Sequence, residues 1–111
     1  MSNDANYIDV ENALKRVGGN VDLYKKLLRI FLDENNYDAL CENIENGNKE
    51  EAARLAHTIK GVSANLSLTN LRTVAANIEM ESKAGNDCKT LVPELKETFD
   101  KTIELLKDYL K

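Results

Sequence analysis

The chain has 111 residues, of which 42% are hydrophobic and 31% charged, with 15 Lys and Arg against 19 Asp and Glu for a formal net charge of -4. That is the size and balance of one globular domain, and basic residues scattered among acidic ones disfavour a nucleic-acid partner. Five Gly and one Pro are too few turn residues for a β-sandwich, a β-barrel or a Gly-rich nucleotide loop, so helices with short connections are expected.

Asp9 is placed to cap a short helix over about residues 10–17, with Val10, Ala13, Leu14 and Val17 as its buried stripe. Gly18-Gly19-Asn20 ends it. Leu23, Tyr24, Leu27, Leu28, Phe31 and Leu32, continued by Leu40, Cys41 and Ile44, predict one long helix of 3.6-residue period, bent at Asn35-Asn36 and stopped at Gly47. From Asn48 a third helix carries Ala52, Leu55, Ala56, Ile59, Val62, Ser63 and Leu66 on its apolar side. A fourth carries Leu68, Leu71, Val74, Ala75 and Ile78 and stops before Gly85. The last, with Leu91, Val92, Leu95, Phe99, Ile103, Leu106 and Leu110, starts near Thr90. That start puts Pro93 in the first turn, where a missing N–H costs least.

Long amphipathic runs with short loops favour antiparallel neighbours. The expected fold is all-α: an up-down-up-down antiparallel four-helix bundle with a short additional N-terminal helix. Residues 1–111 read as a single domain whose core spans residues 8–110. No apolar run approaches the roughly 18 residues that cross a bilayer, and the first six residues lack the basic and apolar parts of a signal peptide. A cytoplasmic protein without a membrane partner is expected, and a monomer, because no large apolar stripe faces away from the core.

Cys41 and Cys88 stand far apart without Cys-x-x-Cys spacing, which argues against a disulfide framework or zinc knuckle. Cys41 reads as a core residue, and Cys88 sits near a turn with no assigned role. Glu50-Glu51 and Glu79-Met80-Glu81 read as solvated helix faces.

The chain has one histidine, His57. At about 100° per residue, with Leu55 set to zero, the apolar stripe of the third helix averages near 40° and His57 stands at about 200°. Ala53, Lys60, Gly61 and Ala64 share its side of the wheel. Ala53, Gly61 and Ala64 are too small to cover the imidazole. Gly61 is the one glycine inside a periodic run, at a cost of about 1 kcal/mol relative to alanine, and close approach by another molecule is a reason to keep it. A neutral imidazole is a nucleophile, and the Lys60 ammonium three residues on would favour that neutral form and steady an added phosphoryl group. This arrangement suits a phosphoryl carrier.

The segment Ala56-His57-Thr58-Ile59-Lys60-Gly61-Val62-Ser63-Ala64-Asn65-Leu66 resembles the His-x-x-Lys-Gly core of histidine-containing phosphotransfer (HPt) domains of multistep two-component phosphorelays. Ile8-Asp9 through Ala13-Leu14, Gly18-Gly19-Asn20, Leu27-Leu28 to Phe31 and Asn77-Ile78-Glu79 extend the likeness over most of the chain. The resemblance implies that His57 accepts a phosphoryl group on Nε2 from a receiver-domain aspartate and passes it to another, with Lys60 stabilising it. Gly61, Ala64 and Ala53 would form the docking face. The partners implied are receiver domains of response regulators and of hybrid sensor histidine kinases. Mg2+ is expected on the receiver, with no cofactor or metal bound by this chain. No Gly-rich loop or kinase signature points to ATPase or kinase activity.

Ser67 departs from the family, which usually has glycine there, and is expected to cap the following helix instead. Two other readings remain. One is a phosphoacceptor fed directly by an ATP-dependent histidine kinase, as in chemotaxis kinases, and the other is a helical receiver-binding module that transfers nothing.

Overall fold

The computed structural model describes residues 4–111, and every regular element among them is helical. Two short helices come first, α1 (Asp4–Tyr7) and α2 (Val10–Arg16). Asp9 Oδ1 accepts a bond from the Asn12 N–H at 3.2 Å and starts α2, satisfying one of the donors that any helix leaves unpaired in its first turn. Asn20 does the same for α3 (Val21–Asp33) through the Leu23 N–H at 3.0 Å.

The single helix expected over residues 23–44 is two. α3 ends at Asp33, and α4 (Tyr37–Glu45) begins after Asn36, which sits in the left-handed region at φ 63°. Asparagine tolerates that conformation better than most residues. Asn35 serves both helix ends: its Nδ2 donates to the Phe31 carbonyl at 3.0 Å, and its Oδ1 accepts from the Tyr37 N–H at 3.0 Å. Tyr24, Leu28, Phe31, Leu40 and Ile44 are all buried, but on one helical wheel the last two fall roughly opposite the first three, so the break re-aims the apolar face toward the core.

α5 (Lys49–Leu66) and α6 (Thr69–Lys83) make the most extensive helix pair, α4 packs on α5, and α6 packs on α7 (Val92–Tyr109). A short 3-10 turn, Lys89–Leu91, leads into α7, with Pro93 in the first turn as its chemistry requires. Cys88 is 4% exposed, its Sγ 3.3 Å from Ser82 Oγ, so it plugs the core beneath the turn. Cys41 is only half-buried on α4. The buried Tyr24 hydroxyl donates to the Leu66 carbonyl at 2.8 Å and ties α3 to the end of α5, and its burial pushes the phenol pKa upward. No helix among the described residues is long and apolar enough to cross a membrane.

The buried arc of α5 is rotated from the one expected. Ala52, Ala53, Leu55, Ala56, Ile59, Ser63 and Leu66 are buried, and on the same wheel they run from about 0° to 160°, centred near 80° rather than 40°. Val62, expected inside, is therefore exposed at 38%. Ala53, expected on the docking face, is covered. The cause is α6, which lies against the flank that carries Ala53 and Lys60.

Candidate functional site

His57 stands in the middle of α5 with its side chain 65% exposed. Gly61, one turn on, is exposed, and a Cβ built on it meets nothing within 4 Å. Ala64, a further turn on, is half-buried. His57, Gly61 and Ala64 thus lie together on an open face, whereas Ala53 lies under it at 7% exposure. Ala53 instead floors a shallow cavity of about 530 Å³ beside the ring, lined also by Arg54, Thr58, Glu79 and Lys83.

The rotation that covers Ala53 also brings α6 within reach of the histidine. Glu79, on α6, is buried, with its Oε2 2.7 Å from His57 Nδ1. Its Oε1 accepts a bond from Lys60 Nζ at 2.5 Å, and Lys83 Nζ lies 3.0 Å from Oε2. Glu79 is thus no solvated face residue but the centre of the cluster. The Lys60 bond above all, then Lys83 and His57, hold its carboxyl down at about 2, against the opposing effect of burial. It is ionised at neutral pH.

An ionised carboxylate can only accept hydrogen bonds, so Nδ1 of His57 carries the proton that it shares with Glu79. In the neutral ring the lone pair is then on Nε2. A single carboxylate thereby selects the tautomer and leaves a nucleophilic nitrogen pointing away from its anchor. Lys60 is itself paired with Glu79. Two ammonium groups around one carboxylate still leave one net positive charge beside the ring, which attracts an anionic group.

Lys60, Gly61 and Ala64 lie where the spacing placed them relative to His57. Glu79 was missed, although α6 carries the signal. With Leu71 at zero, Ala75 falls at about 40° and Glu79 at about 80°, at the edge of the buried stripe and not opposite it. Ser67 is also unlike the expectation. It closes α5 in the left-handed region at φ 58°, its hydroxyl is buried, and it makes no capping bond to α6. Cys41 and Cys88 stand on other elements, and among the described residues no three His, Cys, Asp or Glu side chains gather as a metal site would need.

The Hpt domain family matches residues 26–108, which takes in α4 to α6, all but the last residue of α7 and most of α3. The chain belongs to the Hpt family. Neither a curated protein nor a solved structure matches it significantly. Hpt domains serve phosphotransfer in two-component signalling and meet receiver domains or kinases there.

Proposed function

We propose that this Hpt domain carries a phosphoryl group on Nε2 of His57, taking it from the phospho-aspartate of one receiver domain and passing it to the aspartate of another. The observation that carries the reading is the bond between His57 Nδ1 and the buried carboxylate of Glu79, which leaves Nε2 as the free nucleophile. The scaffold would be the antiparallel up-down-up-down bundle, supported by the packing of α4 on α5, α5 on α6 and α6 on α7.

In the first transfer the Nε2 lone pair attacks phosphorus, the P–O bond to the receiver aspartate breaks, and its electrons return to that carboxylate. The ring then holds a proton on Nδ1 and a phosphoryl group on Nε2, and is cationic. Glu79 is already in place to balance that charge, as a buried acid does for the imidazolium of a catalytic triad. In the second transfer an aspartate oxygen attacks phosphorus, the P–N bond breaks, and the electron pair returns to Nε2. Lys60 and Lys83 supply the positive field for the phosphoryl oxygens. Gly61 and Ala64 leave room for the receiver. Mg2+ would be held by the acidic pocket of the receiver, where the cation would neutralise charge on the aspartyl phosphate.

The deciding experiment is incubation of the domain with phosphorylated receiver domains and Mg2+, followed by intact-mass analysis at neutral to alkaline pH. One added phosphoryl group, acid-labile and absent in His57→Gln, is the expected result. Labelling only by an ATP-bound kinase domain would replace the receiver donor with a kinase, and no labelling from either would leave a docking module.

A further inference from the structure

About 10 Å along α5 from His57, at a rise of about 1.5 Å per residue, the open face runs into a second pocket of about 200 Å³. Asn12 and Arg16 of α2, Ser63, Ala64 and Ser67 at the end of α5, and Arg72 of α6 line it. Both arginines are exposed, and neither pairs with a carboxylate among the described residues. Arg16 is nonetheless fixed in position, because its Nη1 donates to the Ala64 carbonyl at 2.6 Å and leaves its other donors free. Ser63 and Ser67 are 0% and 4% exposed, and neither hydroxyl has a hydrogen-bond partner. Buried hydroxyls are normally bonded, and each of these oxygens is closed off from solvent, so it meets an acceptor in the neighbouring pocket only by rotating about χ1.

We infer that this pocket is an oxyanion subsite that receives a carboxylate side chain of the receiver docked over His57. Two guanidinium groups carry only donors and give the pocket its positive charge, which suits a planar anion held in bidentate fashion and disfavours a cation. The volume suits a carboxylate-sized group and is too small for a nucleotide. Ala64 belongs both to this pocket and to the open face with His57 and Gly61, so a protein seated on that face also covers the pocket. Arg16 and Arg72 would then set where along α5 the receiver comes to rest, and with it the alignment of its aspartate on Nε2. They are positioning residues. The inference rests on the receiver-docking reading, and its test separates the two.

Transfer to His57 is measured at increasing concentrations of the phosphorylated receiver that labels it fastest, for wild type, Arg72→Ala and Arg16→Lys. Arg72 makes no side-chain bond within the described residues, so its loss leaves the fold intact, and Arg16→Lys keeps the charge but not the fork. Both should raise the half-saturating receiver concentration about tenfold, as expected for removal of one charged docking contact, and lower the plateau rate as the receiver aspartate loses its alignment on Nε2. An unchanged half-saturating concentration in Arg72→Ala, with His57 still labelled, overturns the subsite and leaves the carrier role standing.

If no receiver labels His57, the carrier role falls, and titration of the domain with inorganic phosphate at constant ionic strength tests the pocket by itself. Amide shifts confined to Ser63, Ala64 and Ser67, lost in Arg72→Ala, support oxyanion binding there. Shifts that are absent, or that survive in the variant, overturn it.

Discussion

Glu79 Oε2 lies 2.7 Å from His57 Nδ1, across the interface between α5 and α6. The same carboxylate takes Lys60 through its other oxygen, so one buried residue on a neighbouring helix fixes both the ring and the cation that follows it by a turn. Helix packing, and not only the local His-x-x-Lys-Gly run, therefore determines which nitrogen of His57 is left free.

Replacing His57 by glutamine should abolish phosphoryl labelling and leave the fold intact. The side chain is 65% exposed and contributes nothing to the apolar core, so the stability change should stay under about 1 kcal/mol. Mass analysis of the labelled domain and urea unfolding together check this. Loss of cooperative unfolding in the variant would contradict the placement of His57 on the open face.

Glu79→Gln removes a buried carboxylate from two ammonium groups and the imidazole, and should cost about 1–3 kcal/mol at pH 7. The cost depends on pH. In the folded state the carboxyl titrates at about 2, below the unfolded value of about 4.3. Glu79 therefore contributes its full stabilisation above about pH 5, and that contribution disappears as the pH falls toward 2. Urea unfolding at a series of pH values should show the wild type and Glu79→Gln converging over that interval. A difference independent of pH would mean that the ion pairs do not couple to folding.

Much of this site is legible in the amino-acid sequence. The isolation of His57 from the apolar stripe, the gap at Gly61 and the small residue at Ala64 follow from local periodicity on one helix, which neighbouring residues determine almost alone. Glu79 is different, because its role depends on where α6 lies around α5, and periodicity within one helix says nothing about the lateral placement of the next. The same limit explains Ala53 and Val62, whose exposures were reversed by a rotation of roughly 40° in the buried arc. The break between α3 and α4 is different again. Asn35 and Asn36 act through side-chain bonds and a left-handed backbone, and the apolar spacing changes phase there: on one wheel Tyr24, Leu28 and Phe31 fall at about 80–140° and Leu40 and Ile44 at about 260–300°, so a single straight helix could not bury both sets on one face.

Gly61→Ala should stabilise the domain by about 0.5–1 kcal/mol, since the residue lies mid-helix and an added Cβ meets nothing within 4 Å. Gly61→Leu should keep the helicity but slow transfer at least tenfold, because the larger side chain fills the space beside His57 that the receiver needs. Circular dichroism and the labelling rate separate the two effects. Equal rates in Gly61→Leu and wild type would remove Gly61 from the docking face.

Ser67→Gly should stabilise the chain by about 1 kcal/mol. A serine at φ 58° carries the steric cost that L-residues meet in the left-handed region, which glycine avoids. The change also deletes a buried hydroxyl that has no hydrogen-bond partner. Opposing both gains is the extra freedom of glycine in the unfolded chain, a smaller term than the other two together. The backbone bonds that close α5, Leu68 N–H to the Ser63 carbonyl at 2.8 Å and Asp9 N–H to the Ser67 carbonyl at 2.9 Å, involve no side chain and persist in the variant. Thermal unfolding should then show a midpoint several degrees higher. A lower midpoint would mean that the Ser67 hydroxyl does bonding work in solution that outweighs the backbone strain.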